Sequence, residues 1–438
     1  MKIAVVGCGY LGAVHAASMA SLGHETVGID VDERKLALLS SGRAPFYEPG
    51  FDELLQESIA SGKLRFDADP AAAADAEVIF IGVGTPQKPG SNAADLKYVD
   101  AAIDGLLPHI GAHTIIAGKS TVPVGTNERL RERIEATGAR LVWNPEFLRE
   151  GFAVQDTLEP DRLVYGIPSH DHSSEAVLDQ VYASILDRET PKVVTDPATA
   201  ELVKVSANAF LATKISFINA MAEIAEATGA DVTELADAIG MDVRIGRKFL
   251  NSGLGFGGGC LPKDIRAFRA RTEELGLESV AFLDDIDQVN LRRREKMVSL
   301  VLEALEGAPT PTVAMLGLAF KPNSDDVRDS PALAVAAELA RRGAIVQAFD
   351  PEALQTAAAV VDSLDFKSSI NEALEGASVI AIGTEWKQFS QLDPEDVATR
   401  TAARIVIDGR NTLDRDRWHA AGFTVIALGR PRLEVAPA

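Results

Sequence analysis

Two series of strand-like apolar runs, parted by one long stretch without Gly or Pro, predict an α/β protein in three segments. The expected order is an N-terminal Rossmann-type domain over residues 1–195, a central helical region over 196–305, and a smaller Rossmann-like α/β domain over 306–438. A chain of 438 residues is too long for one core, which agrees with several domains.

In the first segment the runs are Lys2–Gly7, Glu25–Asp30, Glu77–Val83, His113–Gly118, Leu141–Trp143 and Leu163–Tyr165. Ala-rich helical stretches separate them, the pattern of a parallel sheet wound with helices on both faces. Asp196-Pro197 then opens the central segment, with an N-cap residue followed by Pro at the first helical position. Nothing breaks the helix before Gly229, so roughly 30 residues, about 45 Å of helix, are expected. Leu202, Val203, Val205, Phe210, Leu211, Ile215, Phe217 and Ile218 fall nearly all round it. Such a helix needs cover on most sides, from the domains it joins or from a second copy, and a homodimer built on this region is expected. More helix follows to about residue 305. Strand-like runs return at Thr312–Leu316, Ile345–Asp350, Ser378–Gly383, Arg404–Asp408 and Thr424–Leu428. The turn after the first of these, Gly317-Leu318-Ala319-Phe320-Lys321-Pro322, lacks dinucleotide glycine spacing, so no second dinucleotide is expected there.

Composition narrows the function. No apolar run reaches the roughly 18 residues that span a bilayer, and the strand-like KIAVVG at the start leaves no room for a signal peptide. The chain has two cysteines, Cys8 and Cys260, so a disulfide framework is not expected and a cytoplasmic setting is. A formal charge of −21 argues against nucleic acid and anionic membrane as partners. A small anionic ligand remains compatible, met by local basic residues at Arg244, Arg247, Lys248 and Lys321.

Gly7-Cys8-Gly9-Tyr10-Leu11-Gly12 follows the first strand and opens a helix. The three glycines suit a tight turn, close approach of backbone to a pyrophosphate, and packing of helix on strand. The second strand ends in Asp30, 18 residues after Gly12, where a carboxylate can hold ribose hydroxyls and repel a 2′-phosphate. NAD is therefore the expected cofactor, and Cys8 is expected to fill space in the turn.

The most informative segment runs Gly253-Leu254-Gly255-Phe256-Gly257-Gly258-Gly259-Cys260-Leu261-Pro262-Lys263-Asp264. A glycine run leading to Cys, with Pro two residues on, reads as a loop feeding a helix N-terminus. That position exposes a thiol and lowers its pKa, which suits a nucleophile. Asp264 would follow one turn later. Lys204 and Asn208 lie one turn apart on the long helix. Asn144-Pro145-Glu146-Phe147-Leu148-Arg149-Glu150 and Lys119-Ser120-Thr121-Val122-Pro123 each follow a strand, where ligands sit in open α/β sheets. Each alone fits a capping or surface role as well; their grouping favours a site. The seven histidines fall in none of these motifs, so acid–base work is expected from Lys, Asp or Glu. No Cys/His cluster has metal-ligand spacing.

Together these stretches closely resemble the UDP-glucose 6-dehydrogenase family over nearly the whole chain. The resemblance rests on GCGYLG, YEPG (Tyr47–Gly50), VGTP (Val83–Pro86), KSTVPVGT, NPEFLREG, RIGRKFL, GFGGGCLPKD, GLAFKPNSDDVRDSP and DGRN. The sister GDP-mannose dehydrogenases share several of them, whereas RIGRKFL and DGRN are closer to the UDP-glucose enzymes. The chain departs from the family at Gly259, where Ser is usual. The resemblance implies that Cys260 attacks an aldehyde, that a thiohemiacetal becomes a thioester, and that water releases UDP-glucuronate after two NAD are reduced. It implies that Lys204, Asn208 and Asp264 polarise the substrate oxygen and that Thr121 and Glu150 position water and move protons. Lys35, Thr85, Lys263 and Arg328, with Gly7, Gly9, Tyr10, Leu11, Gly12 and Asp30, would contact NAD. Glu146–Glu150, Phe249, Leu250, Asn251, Ser252, Gly253, Gly257 and Lys321 would hold the sugar nucleotide, and Arg244 and Arg410 would face its diphosphate. A two-electron hydroxyacid dehydrogenase of the 6-phosphogluconate type would not need Cys260, and a non-catalytic NAD-binding protein would not need Lys204, Asn208 and Asp264.

Overall fold

Strands covered on both faces carry unbroken apolar runs, and this chain has many: VIFI at Val78–Ile81 and VIAI at Val379–Ile382 are buried at every position. The computed structural model describes residues 1–435; the last three residues of the expected C-terminal segment, 436–438, lie outside the described residues. Its compact units are two. One comprises Met1–Ala207 with Arg266–Glu278, the other Asn208–Ile265 with the chain from Ser279 onward.

The first unit is built on eight strands: β1 (Lys2–Val6), β2 (Glu25–Ile29), β3 (Leu64–Asp67), β4 (Val78–Ile81), β5 (Ile115–Gly118), β6 (Arg140–Trp143), β7 (Leu163–Gly166) and β8 (Lys192–Thr195). They lie in the order β3-β2-β1-β4-β5-β6-β7-β8. All neighbours pair in parallel except β6 and β7, which meet antiparallel at Trp143 and Gly166. That departs from the all-parallel expectation. The connection from β6 to β7 carries the NPEFLREG segment and the short Ala153–Leu158 helix, and it turns back instead of crossing over.

The second unit holds β9 (Thr312–Leu316), β10 (Ile345–Phe349), β11 (Asp365–Phe366), β12 (Val379–Ile382), β13 (Ile405–Asp408) and β14 (Thr424–Ala427). Their order is β11-β10-β9-β12-β13-β14, all parallel. Both sheets thus repeat the 3-2-1-4-5-6 order of the dinucleotide fold, with the direction of winding reversing beside β1 and β9. The local bonds repeat too. Gly7 N–H donates to the Ile29 carbonyl and Gly317 N–H to the Phe349 carbonyl, each at 2.8 Å. In the second unit Asp350, fully buried, accepts from Leu318 N (2.7 Å), Ala319 N (3.0 Å), Trp386 Nε1 (3.1 Å), Glu352 N (3.0 Å) and Ala353 N (2.9 Å). The chain's own carboxylate therefore holds the amides of this turn.

The long helix runs Pro197–Thr228, 32 residues, capped as expected by Asp196, which accepts from Thr199 N at 2.9 Å and Thr199 Oγ1 at 2.6 Å. The division between the units falls inside it. Not all of its apolar surface is covered: Phe210, Phe217 and Ile224, seven residues apart in turn, are 66%, 47% and 55% exposed. Further helices run Val232–Gly240, Leu261–Glu274 and Phe282–Leu305. No helix among the described residues is long and apolar enough to cross a membrane.

Candidate active site

The turn after β1 has the shape its glycines permit. Gly7 sits at φ 91°, and a Cβ on Gly12 would come within 1.8 Å of the Gly7 carbonyl oxygen, so only glycine packs there. Gly9 has nothing within 4 Å of its open face. It caps the Tyr10–Ser21 helix with no side-chain bond and no acidic residue in the first turn. Backbone N–H groups at a bare helix N-terminus suit a pyrophosphate, so the turn fits the expected dinucleotide. At the end of β2, Asp30 accepts from Cys8 N (2.8 Å) and Asp32 N (3.0 Å) and pairs with Lys35 Nζ (2.8 Å). The Asp30 carboxylate thus holds the turn together. Cys8 is fully buried, and burial, reinforced by Asp30, pushes its thiol up far above the usual range. It is space-filling, as expected.

The loops after β4 and β5 are tied to each other: Thr85 Oγ1 donates to the Thr121 carbonyl at 2.7 Å and Ser120 Oγ to the Val83 carbonyl at 2.6 Å. Glu201 of the long helix reaches the same region, accepting from Gly125 N (2.7 Å) and Asn127 N (2.6 Å) at the start of the Thr126–Glu135 helix. Burial raises this carboxyl to about 7, against the pull of the two amides. Lys204, three residues on, is buried and pairs with Glu146 Oε1 at 3.1 Å above the Phe147 ring. Beneath them lies Lys119, also buried, facing the rings of Phe80 and Tyr182 and the Asn144 carbonyl at 3.5 Å. Burial lowers its amine to about 8, Glu146 opposing the shift and Lys204 adding to it. Of the NPEFLREG residues, Glu150 is buried, while Phe147 and Leu148 pack on core clusters. Arg149 is engaged by Asp156 at 2.9 and 2.6 Å, which raises its pKa.

In the second unit Cys260 stands one residue before the Leu261–Glu274 helix, and Asp264 N donates to its carbonyl at 3.0 Å. Its side chain is exposed, and Asp264, one turn on, is buried. Asp264 accepts from Asn208 Nδ2 at 2.7 Å and from Lys263 Nζ at 2.5 Å, so three residues expected in the site form one cluster. The glycine loop before Cys260 is laid onto neighbouring segments by backbone bonds, Leu254 N to Gly409 O (3.0 Å) and Gly258 N to Arg328 O (2.9 Å). Asn290 bonds both polar groups of Phe256, at 2.7 and 2.9 Å. The departure at Gly259 has a local consequence. A Cβ there would lie 2.4 Å from the Arg328 guanidinium carbon, so the absent side chain lets Arg328 lie across the residue before Cys260. Arg328 is also bonded by both oxygens of Asp326.

Other expected ligands are held less openly. Arg410 donates to the carbonyls of Gly383 (2.8 Å), Gly255 (3.0 Å) and Phe320 (3.2 Å), joining three loops. Arg244 is paired with Asp242 on the surface, and Lys321 lies over the Phe320 ring. In the Phe249–Gly253 stretch Phe249 has φ 66°, Leu250 is buried, Asn251 accepts from Arg247 Nη1 (2.8 Å), Ser252 Oγ bonds Asn411 Nδ2 (3.1 Å), and Gly253 N donates to Asn219 (2.9 Å). A Cβ on Gly257 would meet the Asp329 carbonyl oxygen at 2.4 Å.

Family comparisons cover the chain in three pieces. Residues 1–186 match the NAD binding domain of the UDP-glucose/GDP-mannose dehydrogenase family, 198–292 its central domain, and 314–415 its UDP binding domain. The chain is 40% identical to the UDP-glucose 6-dehydrogenase of Rhizobium meliloti (strain 1021), over 98% of this chain and 100% of that protein. The chain belongs to the UDP-glucose/GDP-mannose dehydrogenase family. Like the rest of the family it is an NAD-dependent nucleotide-sugar dehydrogenase, which agrees with the bare helix N-terminus and Asp30. Among solved structures it resembles a UDP-glucose dehydrogenase from Pyrobaculum islandicum, with a TM-score of 0.89 and 38% identity over 98% of both chains. A UDP-D-ManNAc dehydrogenase from Pyrococcus horikoshii gives a TM-score of 0.84 at 27% identity, covering 98% of this chain and 99% of that one.

Three buried groups escaped the sequence reading as individuals: Lys119, Glu201 and Glu48. Lys119 and Glu48 each lay inside a recognised stretch, KSTVPVGT and YEPG, where the order of residues drew notice but no single role did. Nothing about Glu201 sets it apart in the sequence.

Proposed function

We propose that this dehydrogenase oxidises UDP-glucose to UDP-glucuronate in two steps, with Cys260 as the covalent nucleophile. The observation that carries the reading is an exposed Cys260 at a helix start, beside the buried Asn208–Asp264 pair and its Lys263 partner. NAD, when bound, supplies the acceptor for one hydride in each oxidation. The sugar CH2OH first gives up a hydride and a proton to become an aldehyde. The Cys260 sulfur adds to its carbon, and the resulting thiohemiacetal gives up a second hydride and proton to leave a thioester. Water then displaces the thiolate, and the carboxylate leaves with one oxygen from that water. Lys204, Asn208 and Asp264 stabilise negative charge on the sugar oxygen as it develops. Thr121 and Glu150 hold the water and move its protons. Lys35, Thr85, Lys263 and Arg328 contact NAD, and Lys321, Arg244, Arg410 and the Phe249–Gly253 stretch serve the sugar nucleotide.

Substrate choice within the family is tested by profiling purified enzyme on UDP-glucose, GDP-mannose and UDP-N-acetylmannosamine while counting NADH. The expected result is a clear kcat/KM preference for UDP-glucose with two NADH formed per sugar consumed. A higher kcat/KM for either rival, or one NADH per sugar, would sink the assignment.

The working unit is a homodimer formed through the long helix. Phe210, Phe217 and Ile224 make a stripe at heptad spacing on a face that a single chain leaves exposed. Sedimentation should give twice the chain mass at micromolar concentration, and a monomer there would count decisively against this. The compartment is the cytoplasm, where Cys260 stays reduced; recovery of the enzyme from a secreted fraction would overturn that.

A further inference from the structure

The Tyr47–Gly50 stretch belongs to none of the roles above, yet its glutamate is buried and densely bonded. Glu48 Oε2 accepts from Gly151 N at 2.7 Å and from the Tyr10 hydroxyl, and Oε1 accepts from Ala153 N at 2.7 Å. Gly151 N also reaches the Tyr10 oxygen at 2.8 Å, so one corner joins three parts of the chain. Tyr10 is the first residue of the helix that follows the cofactor turn. Gly151 follows Glu150 directly, and Ala153 opens the Ala153–Leu158 helix. Aromatic packing fixes the same corner: Phe46 lies 4.6 Å from the Tyr10 ring and stacks on Phe51 at 5.3 Å.

Glu146 of this segment is paired with Lys204 at 3.1 Å, and two further bonds are local. Leu148 N donates to Glu146 at 2.7 Å and Arg149 N to Asp156 at 2.8 Å. Glu48 reaches it from a distant part of the sequence and bonds the cofactor turn with the same oxygen. A buried carboxylate taking N–H groups at a helix start makes strong, charge-assisted bonds, and leaving those donors unmet in the interior is costly. The contacts therefore act as a clamp between two segments with separate functions. We propose that Glu48 is a positioning residue that fixes the segment carrying Glu150 to the cofactor turn through Tyr10.

The part of this concerning Glu150 rests on the reading above, so the test uses two readouts that need no sugar. Glu48→Gln keeps the size but offers a single acceptor oxygen, and its amide group must face either Ala153 N–H or the Gly151–Tyr10 corner, donor against donor. In the protein without ligand, amide exchange at Gly151 and Ala153 should speed up by roughly tenfold or more, the factor carried by one charge-assisted bond. The NADH dissociation constant, read by fluorescence, should rise by about tenfold on the same ground. Tyr10→Phe should speed exchange at Gly151, and the double variant should be no worse than Glu48→Gln, since both changes break one unit. Ile59→Ala, a change in the Phe51–Ala60 helix away from the corner, supplies the stability control and should leave both readouts within about twofold. Wild-type exchange or wild-type NADH affinity in Glu48→Gln overturns the proposal, as does an equal effect from Ile59→Ala. Should Glu48→Gln not fold, unchanged exchange at Gly151 in Tyr10→Phe overturns it instead. A different preferred sugar would leave these outcomes untouched.

Discussion

Cys260→Ala should bind UDP-glucose and NAD yet form no UDP-glucuronate, with overall turnover down by on the order of a thousandfold or more, as when a covalent enzyme loses its nucleophile. The reason lies in the second oxidation. An aldehyde carbon cannot lose hydride to reach the acyl level until a nucleophile has added to it, and alanine offers none. Cys260→Ser separates addition from release. A serine oxygen is a far poorer leaving group than a thiolate, so an ester should accumulate and be visible as added mass on the intact protein. Cys260→Ala should show no such mass. Cys8→Ala is the internal control, because the Cys8 thiol is fully buried and is held protonated by burial and by Asp30. It should keep most activity, and alkylation of wild-type enzyme should track Cys260 alone. If Cys260→Ala converted UDP-glucose to UDP-glucuronate near the wild-type rate, the thioester route would be dead.

How far the sequence alone could be read follows from where each residue sits. Every interior strand announced itself, because strands covered on both faces must be apolar throughout. The strands that went unseen, β3, β8 and β11, are all at sheet edges. Their sequences LRFD, KVVT and DF mix charge with apolar residues, as half-exposed edges do, so no pattern separates them from loop. The antiparallel contact of β6 and β7 was equally silent, since periodicity reports burial and not direction. In the site, residues whose chemistry depends on a local motif were legible: Cys260 by its glycine approach, Asp30 by its distance from Gly12. Groups that work through distant partners were not. Glu48 bonds residues more than 100 positions away, Lys119 owes its lowered pKa to burial that only the fold creates, with Lys204 adding to it, and the three carbonyls that the Arg410 guanidinium meets are connected by no spacing rule, although Arg410 itself was named by resemblance.

Asp30→Ala should shift the choice between NAD and NADP more than any other single change at the cofactor turn. In the wild type the carboxylate at the end of β2 would stand where a 2′-phosphate must fit, and it also holds Lys35 at 2.8 Å. Removing it takes away a repelling charge and releases an attracting one. At about 4 to 5 Å and an effective dielectric near 20, each unit charge is worth roughly 3 to 4 kcal/mol before salt screening. Even a fraction of that should narrow the NAD to NADP ratio of kcat/KM by about a hundredfold. Most of the change should come as a loss with NAD, since the ribose hydroxyls lose their acceptor, and a smaller part as a gain with NADP. Stability should fall as well, because the buried Cys8 N–H loses its bond at 2.8 Å, a penalty of about 1 to 3 kcal/mol. Lys35 distinguishes charge from damage. If the gain with NADP reflects the released amine, Asp30→Ala/Lys35→Ala should lose that gain while melting at the same temperature as Asp30→Ala. A wild-type enzyme that used both cofactors equally, or an Asp30→Ala variant with an unchanged ratio, would mean that the carboxylate serves only the turn and that discrimination lies elsewhere.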